Sequence, residues 1–172
     1  MKINKTIQFS KIKKSEILFL QEMLYEALFV PEGQPKFPKT ILEEPEIRKY
    51  LKDWNQQEGD IAIVAKAEKE LIGAIWGRLF TETSKGYGFV NEETPEISMA
   101  IKKQYRKQGI GTQLLKLIEL EYLQLNVDKL SLSVDKLNPA KELYKRNGYR
   151  LYEDAGTAIT LLKTIEWKGY SE

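Results

Sequence analysis

The chain has 172 residues, 42% of them apolar and 30% charged, and its 27 Lys plus Arg exceed its 25 Asp plus Glu by two. That balance fits one folded domain spanning residues 1–172, excludes a disordered chain, and leaves too little net charge to signal a polyanion partner. With neither Cys nor His, disulfides, thiolate nucleophiles, Ser-His-Asp triads and metal sites of imidazole or sulfur are excluded, so no metal is expected and chemistry falls to carboxylates, Lys, Tyr, Ser, Thr, backbone or a bound cofactor.

Lys5 to Phe9 reads as a short strand, and Ser15 sits where an N-cap belongs, ahead of Ile17, Leu20, Leu24, Ala27 and Leu28 at helical spacing. Pro31 ends that helix, Pro31 to Thr40 is a loop, and Pro45 opens a shorter helix carrying Ile47, Tyr50, Leu51 and Trp54. After Gly59, the runs Ile61 to Ala67 and Leu71 to Phe80 predict a hairpin. The polar, glycine-containing stretch Thr81 to Thr94 predicts a long mobile connection before a strand over Pro95 to Ile101. A helix from Gly109 to Leu125 buries Leu114, Leu115, Ile118, Leu120 and Leu125. A strand over Lys129 to Val134, a helix over Asn138 to Arg146 and strands near Tyr149 to Glu153 and Thr157 to Ile165 complete the chain. The order β-α-α-β-β-β-α-β-α-β-β is a mixed α/β pattern. No run is long and apolar enough for a membrane span and Met1 to Leu20 lacks a signal-peptide core, so the expectation is a cytoplasmic protein with no membrane partner.

The sharpest local feature is Tyr105-Arg106-Lys107-Gln108-Gly109-Ile110-Gly111-Thr112, between a strand and an amphipathic helix. A helix start offers unpaired N–H groups and partial positive charge, and glycines admit an anion to the backbone, so this turn reads either as a phosphate cradle or as a tight turn with solvated lysines. It is no Walker loop, because Thr112-Gln113 follows Gly111, and no dinucleotide fingerprint, because Leu114 stands where the third glycine belongs.

The pattern R-x-x-G-x-G at Arg106, Gly109 and Gly111, directly after Glu96-Ile97-Ser98-Met99-Ala100-Ile101, resembles the acyl-coenzyme A motif of the GNAT superfamily of N-acetyltransferases. Asn138 to Tyr149 resembles the second motif of that family, N-x-x-A-x-x-L-Y-x-x-x-G-[FY]. Together with the element order, the likeness covers Ile61 to Ile165 and leaves the first 60 residues loosely matched. It implies an α/β (α+β) fold with a mixed, mostly antiparallel central sheet, splayed central strands and about four flanking helices. It also implies acetyl-coenzyme A as cosubstrate, with Met99, Ala100 and Ile101 holding the pantetheine arm and the turn from Arg106 through Lys107, Gln108, Gly109, Ile110 and Gly111 to Thr112 holding the pyrophosphate. Asn138 would touch the cofactor, and Tyr144 would lie beside the thioester sulfur.

Acetyl transfer to an amine by direct attack, through a tetrahedral intermediate, needs a neutral amine, a stabilised oxyanion and a proton for the thiolate. Tyr144 can supply that proton, since a phenol near pKa ~10 and a thiol near ~8.5 are close enough for transfer. The resemblance makes Glu96 the candidate base; on its residues alone it equally reads as a strand-end carboxylate. Glu93 is a weaker candidate, and a chain of waters is the remaining route. Asn138 before Pro139 is also a helix start, and Tyr144 by spacing alone is core. Phe29, Glu32, Phe37, Trp54, Trp76, Phe80, Glu82, Tyr87 and Phe89 fall on segments that wall the acceptor groove in the family; most of them read as core or hairpin packing, and Glu32 and Glu82 read either as attracting a cationic amine or as solvated surface. The expected partner is therefore a small-molecule or protein amine, and family precedent adds a homodimer through C-terminal sheet edges. A coenzyme A-binding module without turnover is the alternative. Nucleic-acid binding through Lys102, Lys103, Arg106, Lys107, Lys141, Lys145 and Arg146 is disfavoured by interleaved acids and the small net charge.

Overall fold

The structure is a computed structural model that describes residues 5–170. Its elements follow the predicted order: β1 (Ile7–Lys11), α1 (Ile17–Ala27), α2 (Pro45–Arg48), β2 (Ile61–Ala67), β3 (Glu70–Arg78), β4 (Glu96–Ile101), α3 (Ile110–Gln124), β5 (Lys129–Asp135), α4 (Ala140–Arg146), β6 (Arg150–Asp154) and β7 (Ala158–Thr164). One seven-stranded sheet runs β1-β2-β3-β4-β5-β7-β6, antiparallel at every junction except β4 with β5. It is the mixed, mostly antiparallel sheet with four helices that the family resemblance implies.

Side-chain alternation along the strands divides the core in two. Ile63, Ile75, Ile97, Leu130 and Leu132 pack with Leu114, Leu115, Ile118 and Tyr122 of α3 on one face. Val64, Ala74, Trp76 and Ala100 pack with Leu20, Met23 and Leu24 of α1, and with Ile47, Tyr50 and Trp54, on the other. Truncating a fully buried leucine such as Leu114 to alanine costs about 2–5 kcal/mol.

Four expectations are corrected. Ser15 does not cap α1. It lies inside a 3-10 turn, Lys14–Glu16, where Glu16 instead accepts from the Lys13 amide at 3.2 Å. The second helix stops at Arg48 because the buried Arg78 guanidinium takes the carbonyls of Lys49 (2.9 Å) and Lys52 (2.7 Å), which a continuing helix needs for its own bonds. Leu125 is 55% exposed, and Tyr122 and Leu123 fill the core at the end of α3 instead. The Thr81–Thr94 connection is tethered rather than free. The Lys49 ammonium donates to Lys85 O, the Tyr87 amide donates to Tyr50 Oη at 2.7 Å, and the Gly88 amide donates to Glu96 Oε1.

Candidate active site

Strands β4 and β5 meet at a single residue pair, Glu96 opposite Ser131, where the Ser131 amide donates to Pro95 O at 3.0 Å. Beyond that point they part. The Lys102 amide donates to Ile72 O, so the even-numbered peptides of β4 face β3 and the odd-numbered ones face the gap. Met99 therefore turns its N–H and C=O into the slot, as Ile101 does its N–H. Ala100 pairs with Ala74 and turns its peptide away from the slot, offering only its small side chain.

The slot leads to the start of α3. The first helical bond there is Gln113 N to Gly109 O at 3.2 Å, which leaves the amides of Ile110, Gly111 and Thr112 without partners inside the helix. Lys107 (φ 60°) and Gly109 (φ 81°) both adopt left-handed backbone in the turn that leads into these amides. No acidic side chain stands in the first turn to compete with an anion, and a Cβ on Gly109 would meet nothing within 4 Å. A Cβ on Gly111, in contrast, would press on Leu143 at 2.8 Å, so that glycine lets α3 and α4 approach. Arg106 spends its Nε on Ile101 O at 2.8 Å, fastening the turn to the end of β4, while its half-exposed head lies 3.7 Å from Glu26. This donor set, with space in front of it, fits a diphosphate.

One cleft of about 1870 Å³ contains the slot, the turn and the region beyond them. Eleven of the twelve residues expected to bind the cofactor, including Tyr144 and Asn138, line it together with Glu96. Gln108 does not; its side chain folds back to Gln104 O at 3.3 Å. Asn138 Oδ1 accepts from the Ala140 amide at 2.9 Å, so it does cap the start of α4, with its amide nitrogen left for the cleft. Tyr144 is buried, edge-on to Tyr149 at 6.0 Å, and burial raises its hydroxyl above the ordinary phenol range.

Glu96 is the most perturbed carboxylate of the cleft. Burial pushes it up to about 7, opposed by the Gly88 amide, the Tyr50 hydroxyl at 3.0 Å and the charge of Lys49. Its side chain, like that of Ser98, leaves the sheet on the face covered by α1. Oε1 takes both donors, and Oε2 is buried with no partner among the described residues. Close approach of the loop requires glycine twice. A Cβ on Gly86 would overlap Glu96 Oε2, and one on Gly88 would lie 2.6 Å from Glu96 Oε1 and from the carbonyl carbon of Leu132. Tyr50, Gly86 and Gly88 are site residues that sequence reasoning missed. Two glycines one residue apart, a short step before a strand-opening glutamate, are the signal that marks them.

The acceptor side divides. Phe29, Glu32, Phe37 and Tyr87 line the cleft, whereas Trp54, Trp76, Phe80 and Phe89 belong to the second core. Glu82 pairs with Lys85 at 3.1 Å on the surface, and Glu93 is exposed outside the cleft. Among the described residues no helix is long and apolar enough to cross a membrane.

Known proteins resemble this chain in sequence or in fold. Over 103 residues the chain is 35% identical to an uncharacterised N-acetyltransferase of Methanocaldococcus jannaschii; the match takes in 55% of this chain and 62% of that relative, under two thirds of its length. The PaiA N-acetyltransferase of Thermoplasma acidophilum, solved with coenzyme A, superposes over 92% of this chain and 99% of its own with a TM-score of 0.66 at 18% identity. The ribosomal-protein-S18-alanine N-acetyltransferase of Escherichia coli does so over 94% and 95% with a TM-score of 0.61 at 15% identity. At such identities these two likenesses speak for the fold. Residues 22–149 match the sequence profile of the acetyltransferase (GNAT) family, and the chain belongs to that family.

Proposed function

We propose that the chain moves an acetyl group from acetyl-coenzyme A to a primary amine of a small molecule or a protein. The observation that carries this reading is the slot opened by the single β4–β5 pair, which runs from the unpaired amides of α3 to a cleft lined by both Glu96 and Tyr144. Acetyl-coenzyme A would supply the activated thioester and depart as the thiol. The peptides of Met99 and Ile101 hold the pantetheine arm, and the amides of Ile110, Gly111 and Thr112 hold the diphosphate. Main-chain N–H groups of β4 facing the slot stabilise the oxyanion.

Glu96 takes the proton that frees the amine lone pair; a carboxyl titrating near 7 is half ionised at neutral pH and matched to that task. Tyr144 gives the proton that leaves with the thiolate. Burial raises its pKa, which keeps the hydroxyl protonated and able to donate. The exposed carboxylates of Glu32 and Glu44 at the outer wall favour a cationic acceptor.

Calorimetric titration tests the cofactor assignment. Coenzyme A binds, and NAD and ATP bind far more weakly; no heat with coenzyme A would remove the proposal. Tyr144→Phe tests the acid: turnover falls by about 10²-fold with coenzyme A affinity unchanged. A variant as active as the parent would make Tyr144 a packing residue.

A further inference from the structure

Glu96 is the only buried carboxylate on the acceptor wall of the cleft among the described residues, and its two oxygens are treated differently. Oε1 receives the Tyr50 hydroxyl at 3.0 Å and the Gly88 amide, whereas Oε2 receives nothing among the described residues. Tyr50 is itself fixed from three directions. Its hydroxyl accepts from the Tyr87 amide at 2.7 Å, which commits its single proton to Glu96. Its ring stacks on Tyr87 at 6.5 Å and meets Phe80 edge-on at 5.0 Å. The next residue back, Lys49, is bound to Lys85 O and to Glu46, so the segment that carries Tyr50 and the connection that carries Gly88 are clamped to each other at Glu96.

We propose that Tyr50 is a positioning residue for the transfer: its oriented hydroxyl fixes the Glu96 carboxylate against the loop and stabilises its buried anion. This rests on the reading of Glu96 as the group that takes the amine proton. The surroundings allow little else to do the work. From the segment after α2 come Tyr50 and Lys49, whose charge is shared with Glu46. From the connection come the Tyr87 and Gly88 amides. From β5 comes Ser131, uncharged and paired opposite Glu96, and from β3 comes Arg78, opposite Glu96 in register but with its guanidinium committed to Asp60 at 2.8 Å and to the carbonyls of Lys49 and Lys52. A hydrogen bond to a buried anion favours its ionised form, so losing the Tyr50 donor raises the carboxyl further by about one pH unit.

The test is the pH profile of kcat/KM for the amine in Tyr50→Phe, which keeps the ring between Phe80 and Tyr87. The acidic limb, near 7 in the parent, moves about one unit alkaline, so that activity drops about fivefold at pH 7 and converges with the parent near pH 9. Placing 3,5-difluorotyrosine at position 50 supplies a stronger donor of nearly the same shape and moves the limb in the acid direction, which keeps the question answerable if the phenylalanine variant folds poorly. A limb that stays where it is in both proteins overturns the role of Tyr50. The base assignment fails separately, by Glu96→Gln retaining full activity or by the parent showing no acidic limb.

Discussion

On the side of α3 and α4 the cleft presents main chain: amides without helical partners, two left-handed residues, the Met99 peptide and the Ile101 N–H. On the side of α1 and the Thr81–Thr94 connection it presents side chains, with Tyr50 and Glu96 meeting across 46 positions of sequence. The first half is local, since a seven-residue turn sets its geometry. The second half exists only after the chain has folded, because a buried carboxylate, a tyrosine and two glycines must arrive together. A ligand gripped by main chain needs glycines and a helix start in the right order; a proton acceptor needs a balance of burial against donors, which no contiguous motif records.

The sharpest way to break this contrast is Glu96→Gln, which keeps the donors to Oε1 supplied with an oxygen while abolishing proton acceptance. Turnover falls by about 10²–10³-fold at pH 7, with coenzyme A affinity unchanged. The same variant carries a stability signature of opposite sign. The folded carboxyl sits near 7, above its ordinary 4.5, so between those values the native state holds a proton that the unfolded chain releases. Stability therefore declines as pH rises from about 4.5 to 7 and stays lowered above it, by an amount on the order of 1–3 kcal/mol. Glutamine carries no such penalty. Thermal melts of the two proteins should coincide near pH 4.5 and separate by pH 8 with the variant the more stable. A variant that melts lower at pH 8 would refute the view that the anion is held at a cost for the sake of reactivity.

Glycine substitutions then compare the two halves directly. Gly88→Ala drives a Cβ to within 2.6–2.7 Å of the Leu132 and Ser133 backbone, which has no room to move aside, so stability falls by about 1–3 kcal/mol and kcat falls with the displaced Glu96 donor. Gly109→Ala meets no atom but must hold φ near +81°, costing about 1–2 kcal/mol. Its effect on activity belongs to cofactor binding, so saturating acetyl-coenzyme A restores its rate and does not restore that of Gly88→Ala. Steady-state kinetics over a cofactor series separates them; a common pattern in both variants would dissolve the distinction between halves.

This division also explains what could be read before the structure. The element order and the turn at residues 106–112 were legible because each rests on short-range patterns: alternation, helical spacing, a helix start and glycine placement; the splayed strands came only with the family resemblance. By spacing Tyr50 is one apolar position of a helix; in the fold it reaches Glu96, where Arg78, far along the chain, takes the carbonyls that would continue that helix. Most aromatics of the acceptor-side segments read as packing, and Trp54, Trp76 and Phe80 do sit in the second core; which ones instead reach the cleft, Phe29, Phe37 and Tyr87, is a choice of face that composition does not announce. Gln108 lies within the legible turn yet points its side chain outside the cleft, since there the motif is written for the main chain.

Asn138 stands between the two modes and shows the smallest effect. Its Oδ1 is committed to the Ala140 amide, a capping bond worth about 1 kcal/mol, so its amide nitrogen is what it has left to offer a ligand. Asn138→Asp keeps the capping oxygen and removes that donor. If the residue contacts the cofactor, the melting temperature stays within a degree or two of the parent while coenzyme A binds about three- to tenfold more weakly, the loss of one hydrogen bond of about 1 kcal/mol. Asn138→Ala supplies the complement, losing cap and donor together and so both stability and affinity. Unchanged affinity in the aspartate variant would reduce Asn138 to a helix cap, and the cofactor half of the cleft would then be built from main chain and Tyr144 alone.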